Sequence, residues 1–359
     1  MDAPTARIGT RLVGGGAAPY VIGEVSGNHN GDLDRALAII DAVAEAGADA
    51  VKLQTYTADT MTLPCDEPPF IVGGGTPWDG QRLYDLYEQA ATPWEWMEPL
   101  FEHARSLGLD VFSTPFDETA IEFLETLDPP AYKVASFELV DHGLLRSIAG
   151  TGRSVIVSTG MADESEISEA LDVLQSAGAG DTVLLRCNSA YPASPEEMDL
   201  RTIPDMQQRW RVPIGLSDHT LTTTAAVAAV ALGACVIEKH VTLARSDGGP
   251  DAAFSLEPGE LAALVTSVRE AHGALGTVRY GPSASEAPST VFRRSLFVVK
   301  DVAEGDRFSR DNVRSIRPGN GLPPKEFARV LGRTATRSLQ RGTPLAWEFI
   351  ASPDAPERR

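Results

Sequence analysis

The chain has 359 residues, enough for two domains or for one large barrel with an appendage. Its 31 Lys plus Arg against 50 Asp plus Glu leave a formal charge of −19, which argues against a nucleic-acid binder or a protein held on an anionic membrane. No apolar stretch approaches the roughly 20 residues of a membrane span, no secretory pattern opens the chain, and Cys65, Cys187 and Cys235 are too few and too scattered for a disulfide framework or a zinc site, so a reducing, cytoplasmic protein is expected.

In chain order, the stretch from Ile8 to Val13, followed by Gly14-Gly15-Gly16, suggests a hairpin that could close a barrel floor. Short β-branched apolar runs come next, at Tyr20–Val25, Ala50–Thr55, Asp110–Pro115, Ala131–Phe137, Ser154–Gly160, Thr182–Ser189, Pro213–His219 and Cys235–Thr242. Helical periodicity lies between them, as in Leu33-x-x-x-Leu37-x-x-Ile40-x-x-Val43 before Gly47. A second helix is predicted to open at Thr92-Pro93-Trp94-Glu95, with Thr92 as cap and Glu95 completing a capping box. The last runs from Glu257 to about Leu275. Eight strands apolar on both faces, alternating with helices, predict a (β/α)8 TIM barrel, with a doubly wound open sheet as the structural alternative.

Charge divides the chain. Residues 1–285 carry 17 Lys plus Arg against 41 Asp plus Glu, whereas residues 286–350 carry 12 against 7. The change falls beside the Gly/Pro/Ser-rich stretch from Gly281 to Ser289, so the expected organisation is a barrel over 1–280, a linker over 281–291 and a small domain over 292–352.

All eight predicted strands end in polar residues, at the end where barrel folds place their chemistry. Only three lysines precede residue 285, and Lys52, Lys133 and Lys239 all sit inside apolar strand motifs, where an unpaired lysine is costly. Pairing with a carboxylate such as Glu138 or Glu238 would explain any one of them. Three together point to a site for a phosphate or carboxylate, with hydroxyls from Thr114, Ser136, Ser158 and Ser217. His219 and His240 end adjacent strands, so their imidazoles could converge on Mn²⁺, Fe²⁺, Co²⁺ or Zn²⁺. His29 either orients the first loop or ligates metal; His103, His142 and His272 read as surface residues on helices. Glu24 either holds a water near a metal or pairs with a lysine. Gly73-Gly74-Gly75 lacks the Gly-Lys-Ser/Thr ending of a phosphate loop, and the connection from Tyr56 to Ala91 is long enough for a lid. Trp94 and Trp96 are expected to pack against the barrel, and Asp247 or Asp251 to contact substrate or cap a turn over the mouth.

These motifs resemble the sialic acid synthase family of phosphoenolpyruvate-dependent nonulosonic acid synthases, from about Tyr20 to Ile350. The resemblance rests on Gly-Asn-His-Asn-Gly at 27–31, Lys-Leu-Gln-Thr at 52–55, Ser-Thr-Pro-Phe-Asp at 113–117, Ser-Thr-Gly-Met at 158–161, Leu-Ser-Asp-His-Thr at 216–220 and Glu-Lys-His at 238–240. Within the family the chain is most similar to pseudaminic acid synthases, through Leu83-Tyr84-Asp85-Leu86-Tyr87, Ser189-Ala190-Tyr191-Pro192-Ala193 and Ala253-Phe254-Ser255-Leu256. Residues 292–350 resemble its antifreeze-like, or SAF, domain through Arg293-Arg294-Ser295-Leu296 and Arg314-Ser315-Ile316-Arg317-Pro318-Gly319-Asn320-Gly321.

The resemblance implies condensation of phosphoenolpyruvate with an open-chain N-acetylated amino sugar, 2,4-diacetamido-2,4,6-trideoxy-L-altrose for pseudaminic acid, with release of phosphate. It implies that His219 and His240 hold a divalent metal, manganese with magnesium or cobalt as alternatives. Lys52, Thr114, Lys133, Ser136, Ser158, Ser189 and Ser217 would bind phosphoenolpyruvate, with Glu24, Lys52 and Lys133 as catalytic groups. Gln54, Tyr191, Asp251, Phe254 and Arg317 would address the sugar, Arg317 from the swapped SAF domain of a homodimer partner. Sialic acid synthases proper commonly carry Asn where this chain has Ser189; here Asn188 stands one place earlier, on the other face of an extended strand. N-acetylneuraminate, legionaminate or another nonulosonate synthase is the alternative, and a non-catalytic sugar-binding barrel a remoter one.

Overall fold

The structure is a computed structural model and describes residues 3–352. Met1 and Asp2, part of the N-terminal stretch read above for a secretory pattern, and residues 353–359 lie outside the described residues. The chain divides between Gly276 and Thr277 into two compact units.

The first unit opens with an antiparallel hairpin of β1 (Thr5–Ile8) and β2 (Arg11–Gly14). Eight parallel strands follow: β3 (Tyr20–Glu24), β4 (Ala50–Thr55), β5 (Asp110–Pro115), β6 (Ala131–Val134), β7 (Ser154–Ser158), β8 (Thr182–Cys187), β9 (Ile214–Ser217) and β10 (Val236–His240). Each pairs with the next, and β10 returns to β3 with Val236 beside Tyr20 and His240 beside Glu24. The sheet is a closed barrel, which excludes the open doubly wound alternative.

The barrel helices are α1 (Leu33–Glu45), α2 (Ala58–Met61), α3 (Leu83–Ala90), α4 (Met97–Ser106), α5 (Glu118–Glu125), α6 (His142–Ala149), α7 (Glu164–Ser176), α8 (Thr202–Trp210), α9 (Thr224–Ala231) and α10 (Pro258–Leu275). Four start the same way: Asp32, Asp117, Asp141 and Asp163 each accept hydrogen bonds from backbone N–H groups of the turn they precede. Such an aspartate ends the strand-to-helix connection and fixes where the helix begins. Thr92 does not cap as predicted. Pro93 stays extended, a 3-10 turn occupies Trp94–Trp96, and α4 begins only at Met97, while the Thr92 hydroxyl lies 3.4 Å from His29 Nε2. The connection from Tyr56 to Ala91 contains α2, a 3-10 turn at Pro68–Phe70 and α3.

Outward-facing strand residues such as Val21, Val51, Val155 and Leu184 pack beneath Ile39, Leu100, Ile148 and Leu264 of the helices. Each such burial contributes roughly 1.5–3 kcal/mol. Gly23 brings α1 close, since a Cβ there would come within 2.6 Å of Val43 Cγ2. The inward set, including Ile22, Ala50, Phe112, Ile156 and Val236, meets Ile8 and Val13 of the hairpin. Ser154 Oγ donates to the Arg7 carbonyl at 2.6 Å, and Arg11 bridges Asp49 and Asp110 at 2.8 and 3.1 Å, pinning the hairpin across the N-terminal end of the barrel.

The second unit contains an antiparallel pair, β11 (Ser295–Val298) and β12 (Val313–Ile316), and one helical turn, α11 (Phe327–Val330). Leu296, Val302, Phe308, Val313, Val330 and Leu345 form its own small core. Among the described residues no helix is long and apolar enough to cross a membrane.

Candidate active site

Side chains alternate faces along a strand, so residues of one parity share the barrel interior. On β3 Ile22 is followed inward by Glu24, on β4 Ala50 by Lys52 and Gln54, on β6 Ala131 by Lys133, and on β10 Val236 by Glu238 and His240. The interior therefore turns from apolar at the hairpin end to polar at the C-terminal end, where a cavity of about 440 Å³ opens and takes lining residues from all eight strands. The proposed anion ligands Lys52, Thr114, Lys133, Ser136, Ser158, Ser189 and Ser217 all line it. So do Glu24, His219 and His240, and the sugar candidates Gln54, Tyr191, Asp251 and Phe254. Arg317 is exposed in the second unit.

Lys52 Nζ lies 2.6 Å from Glu24 Oε2 and 2.9 Å from Glu238 Oε1, and all three side chains are buried. Burial opposes every charge here, but the attraction outweighs it: Lys52 together with His240 holds the Glu24 carboxyl at about 2, and Glu238 with Glu24 raises Lys52. Gln54 Nε2 donates to Glu24 Oε1 at 2.7 Å and fixes the carboxylate's plane. Lys133 is in a different position. It donates to Ser158 Oγ and to the Val134 carbonyl, both at 2.7 Å, with no carboxylate at ion-pair distance among the described residues. Burial pulls it down to about 8, and the field of Glu238 offsets only part of that. At neutral pH it remains a buried ammonium whose charge is not cancelled.

Among the described residues, four polar atoms of the cavity lining are buried without a hydrogen-bond partner: Thr114 Oγ1, Glu138 Oε2, Glu238 Oε2 and His240 Nδ1. Buried polar atoms are normally satisfied, so a cluster of exceptions marks where a ligand sits. Gly160 has no room for a side chain, since a Cβ would collide with Ser136 and Ser189; its N–H donates to Ser136 Oγ at 3.2 Å.

His219 and His240 face each other with ring centres 5.4 Å apart. His219 Nδ1 donates to the Asn188 carbonyl at 2.8 Å, which fixes the tautomer and leaves Nε2 as a lone-pair donor. His240 Nε2 lies 3.6 Å from Glu24 Oε2, and burial lowers His240 despite that carboxylate. Burial opposes a charge on His219, but Cys187 and the Asn188 carbonyl outweigh it and raise His219. Two imidazoles on adjacent strands, one carrying an unpartnered buried nitrogen, suit a divalent ion that replaces ring protons and draws its other ligands from substrate and water. No larger group of His, Cys, Asp and Glu able to hold a metal occurs among the described residues.

The loop after β3 is locked to the mouth. Asn28 Nδ2 donates to the Val241 carbonyl at 2.9 Å and to Ser255 Oγ at 2.8 Å, and Asp251 accepts from Ser26 Oγ and from the Gly27 N–H. Asp247 instead pairs with Arg35 at 2.6 Å. His29 packs on Trp96 and accepts from the Gly31 N–H at 3.1 Å, outside the cavity lining, where it orients this loop. Asn188 turns outward, donating to the Glu197 carbonyl, while Ser189 faces the cavity.

Lys239 departs from the three-lysine reading. It lies between Glu238 and His240 and so faces the helix layer, where it meets Asp218 at 2.9 Å and donates to the Thr220 carbonyl. The alternation that puts its neighbours in the cavity puts Lys239 out of it. Sequence reasoning offered Glu138 only as a lysine partner and passed over several other lining groups. Glu138, in the turn after β6, is raised to about 7 by burial, with Lys133 opposing. Cys187 is held at about 7, because His219, Ser136 and Ser189 outweigh its burial. Trp78 and Phe116 complete the wall. Parity along β8 and β5 could have found Cys187 and Phe116; no periodic signal marks Glu138 or Trp78.

Residues 39–280 match the NeuB family and residues 293–351 the SAF domain. The chain belongs to the NeuB family. A pseudaminic acid synthase from Campylobacter jejuni subsp. jejuni is 44% identical over 91% of this chain and 95% of that protein. An N,N'-diacetyllegionaminic acid synthase from Legionella pneumophila is 36% identical over 92% and 94%. The crystal structure of N-acetylneuraminic acid synthetase from Leptospira borgpetersenii in complex with citrate matches with a TM-score of 0.72 at 31% identity, covering 80% of this chain and 95% of that one. This NeuB-family enzyme is thus a nonulosonic acid synthase, similar to the pseudaminic acid synthases, built as a TIM barrel followed by an SAF domain.

Proposed function

We propose that the enzyme condenses phosphoenolpyruvate with open-chain 2,4-diacetamido-2,4,6-trideoxy-L-altrose to give pseudaminic acid and phosphate. The observation that carries an anionic substrate is the buried, uncompensated Lys133 beside the ring of hydroxyls from Thr114, Ser136, Ser158, Ser189 and Ser217. The greater identity to a pseudaminic acid synthase than to a legionaminic acid synthase supports the choice of sugar.

Lys133, Lys52 and the hydroxyls hold the phosphate and carboxylate, placing the nucleophilic methylene carbon against the sugar's carbonyl carbon. His219 and His240 would hold a divalent cation, manganese being the proposed ion, which when bound supplies Lewis acidity at the carbonyl oxygen. As the carbon–carbon bond forms, Glu138 donates a proton to that oxygen, a task suited to a carboxyl at about 7. A water adds to the other enol carbon; one of its protons restores the Glu138 carboxyl, and the other passes to the departing phosphate as the carbon–oxygen bond breaks and the ketone forms. Glu24, held at about 2, is a weak base; it orients that water by accepting its hydrogen bond.

Gln54, Tyr191, Asp251 and Phe254 address the sugar. Phe137 and Met161, 57% and 60% exposed beside the mouth, support a cover supplied by a second copy of the chain, whose SAF domain would bring Arg317 to the sugar in an exchanged homodimer. The free cysteines fit a cytoplasmic enzyme. The test is phosphate release with phosphoenolpyruvate, Mn²⁺ and a panel of amino sugars. Release with the diacetamido sugar supports the reading; release only with N-acetylmannosamine or a legionaminic acid precursor refutes the choice of sugar.

A further inference from the structure

We infer that residues 71–82 form the surface that selects the sugar, and that they favour apolar substituents, N-acyl methyl groups and a methyl in place of a hydroxymethyl, over hydroxyls. This rests on the proposed condensation and names the part of the site that reads its second substrate.

The segment is a small hairpin. Ile71 and Arg82 bridge antiparallel, the Val72 N–H donates to the Gln81 carbonyl and the Gly80 N–H to the Val72 carbonyl, each at 2.8 Å. Asp79 ties the tip, accepting from the N–H groups of Gly75 and Thr76 and from Thr76 Oγ1, all at 2.8 Å. Gly74 and Gly75 turn it with φ of 103° and 84°, so the glycine run serves a turn. Val72, Thr76 and Trp78 are half-buried and line the cavity, while the rest of residues 71–80 are exposed.

Trp78 reaches furthest. Its Nε1 donates to the Pro250 carbonyl at 2.7 Å, and its ring centre lies 5.7 Å from Tyr191, whose ring in turn lies tilted 4.4 Å from His219. The wall therefore stands one ring away from the histidine pair, over the place where the sugar chain must extend. Its polar side-chain atoms are already engaged, Thr76 Oγ1 by Asp79 and Trp78 Nε1 by Pro250. A sugar hydroxyl against Val72 and Trp78 exchanges water for no partner, whereas a methyl gains contact; one such group in an apolar pocket discriminates about 10–200-fold.

The test compares kcat/KM for the diacetamido-trideoxyhexose and for N-acetylmannosamine in the wild type, Val72→Ser and Trp78→Ala, with phosphoenolpyruvate saturating. The wild type is expected to prefer the former, and each variant to lower that preference at least tenfold with an unchanged KM for phosphoenolpyruvate. Val72→Ser changes a half-exposed side chain and decides the matter alone if Trp78→Ala fails to fold. Equal losses with both sugars, or a wild type without preference, overturn the inference while leaving the condensation intact. A wild type that releases phosphate with neither sugar overturns the condensation itself, and the inference with it.

Discussion

Replacing Lys133 by methionine should abolish activity and yet stabilise the barrel. A native value of about 8 against an unfolded value near 10.5 makes the buried ammonium cost roughly 3 kcal/mol at pH 7. Methionine fills a similar volume without the charge. It leaves Ser158 Oγ and the Val134 carbonyl short of one donor each, at about 1 kcal/mol apiece, so a net gain of about 1 kcal/mol is expected. The pH dependence tests the cause. Because the native state releases this proton first, the unfolded state binds more protons between pH 8 and 10.5, and the Lys133 contribution makes stability rise with pH across that window. Urea unfolding of wild type and Lys133→Met at pH 7 and through that window should show the variant more stable at pH 7, the difference closing as pH rises, and the wild type the more stable by about 2 kcal/mol at the top of the window. A variant less stable by 2 kcal/mol or more at pH 7, with a pH slope like the wild type's, would refute the argument, because the ammonium would then be paired in a way the geometry does not show.

Four other outcomes are expected. His219→Ala and His240→Ala should each stay folded by circular dichroism while losing phosphate release and Mn²⁺ binding by equilibrium dialysis; retention of both properties sinks the metal assignment. Lys239→Met leaves Asp218 buried and unpaired and should cost about 3–5 kcal/mol in urea unfolding, with kcat/KM of the folded fraction near wild type. A stable but inactive variant would return Lys239 to the site. With Glu138 as the proton donor, kcat/KM should fall as pH rises through about 7, and Glu138→Gln should be slower and lack that limb; a variant with the wild-type profile removes Glu138 from the chemistry. Arg317→Ala should raise the apparent KM for the sugar and spare that for phosphoenolpyruvate, and a harmless substitution takes away the main support for the exchanged cap.

Much of the site was legible because a strand imposes a period of two on its neighbours. Once Lys52 and His240 are placed on their strands, the inward facing of Gln54 and Glu238 follows without coordinates. The same rule contradicts the grouping of Lys239 with the other lysines, a reading that weighed the scarcity of lysine above its register. The sequence offered Glu138 only as a lysine partner, and the place of Glu138 and Trp78 in the cavity was not legible, because both lie in connections where no period relates sequence distance to direction. Glu138 comes into view only through the burial of its carboxyl, to which many chain segments contribute. Thr92 failed for a local reason: the extended Pro93 delays α4 by four residues, and a capping pattern carries no information about that delay.

The hairpin of β1 and β2 closes one end of the barrel, so everything that reacts must enter and leave through the other. On the proposed assignment the phosphate and carboxylate lie deep, at Lys133 and Lys52, and the sugar lies above them under Trp78. A sugar that arrives first then obstructs the route of the anion, and a sugar acid that lingers traps the phosphate beneath it. Kinetic order is thereby written into the architecture: phosphoenolpyruvate enters first, and phosphate departs last.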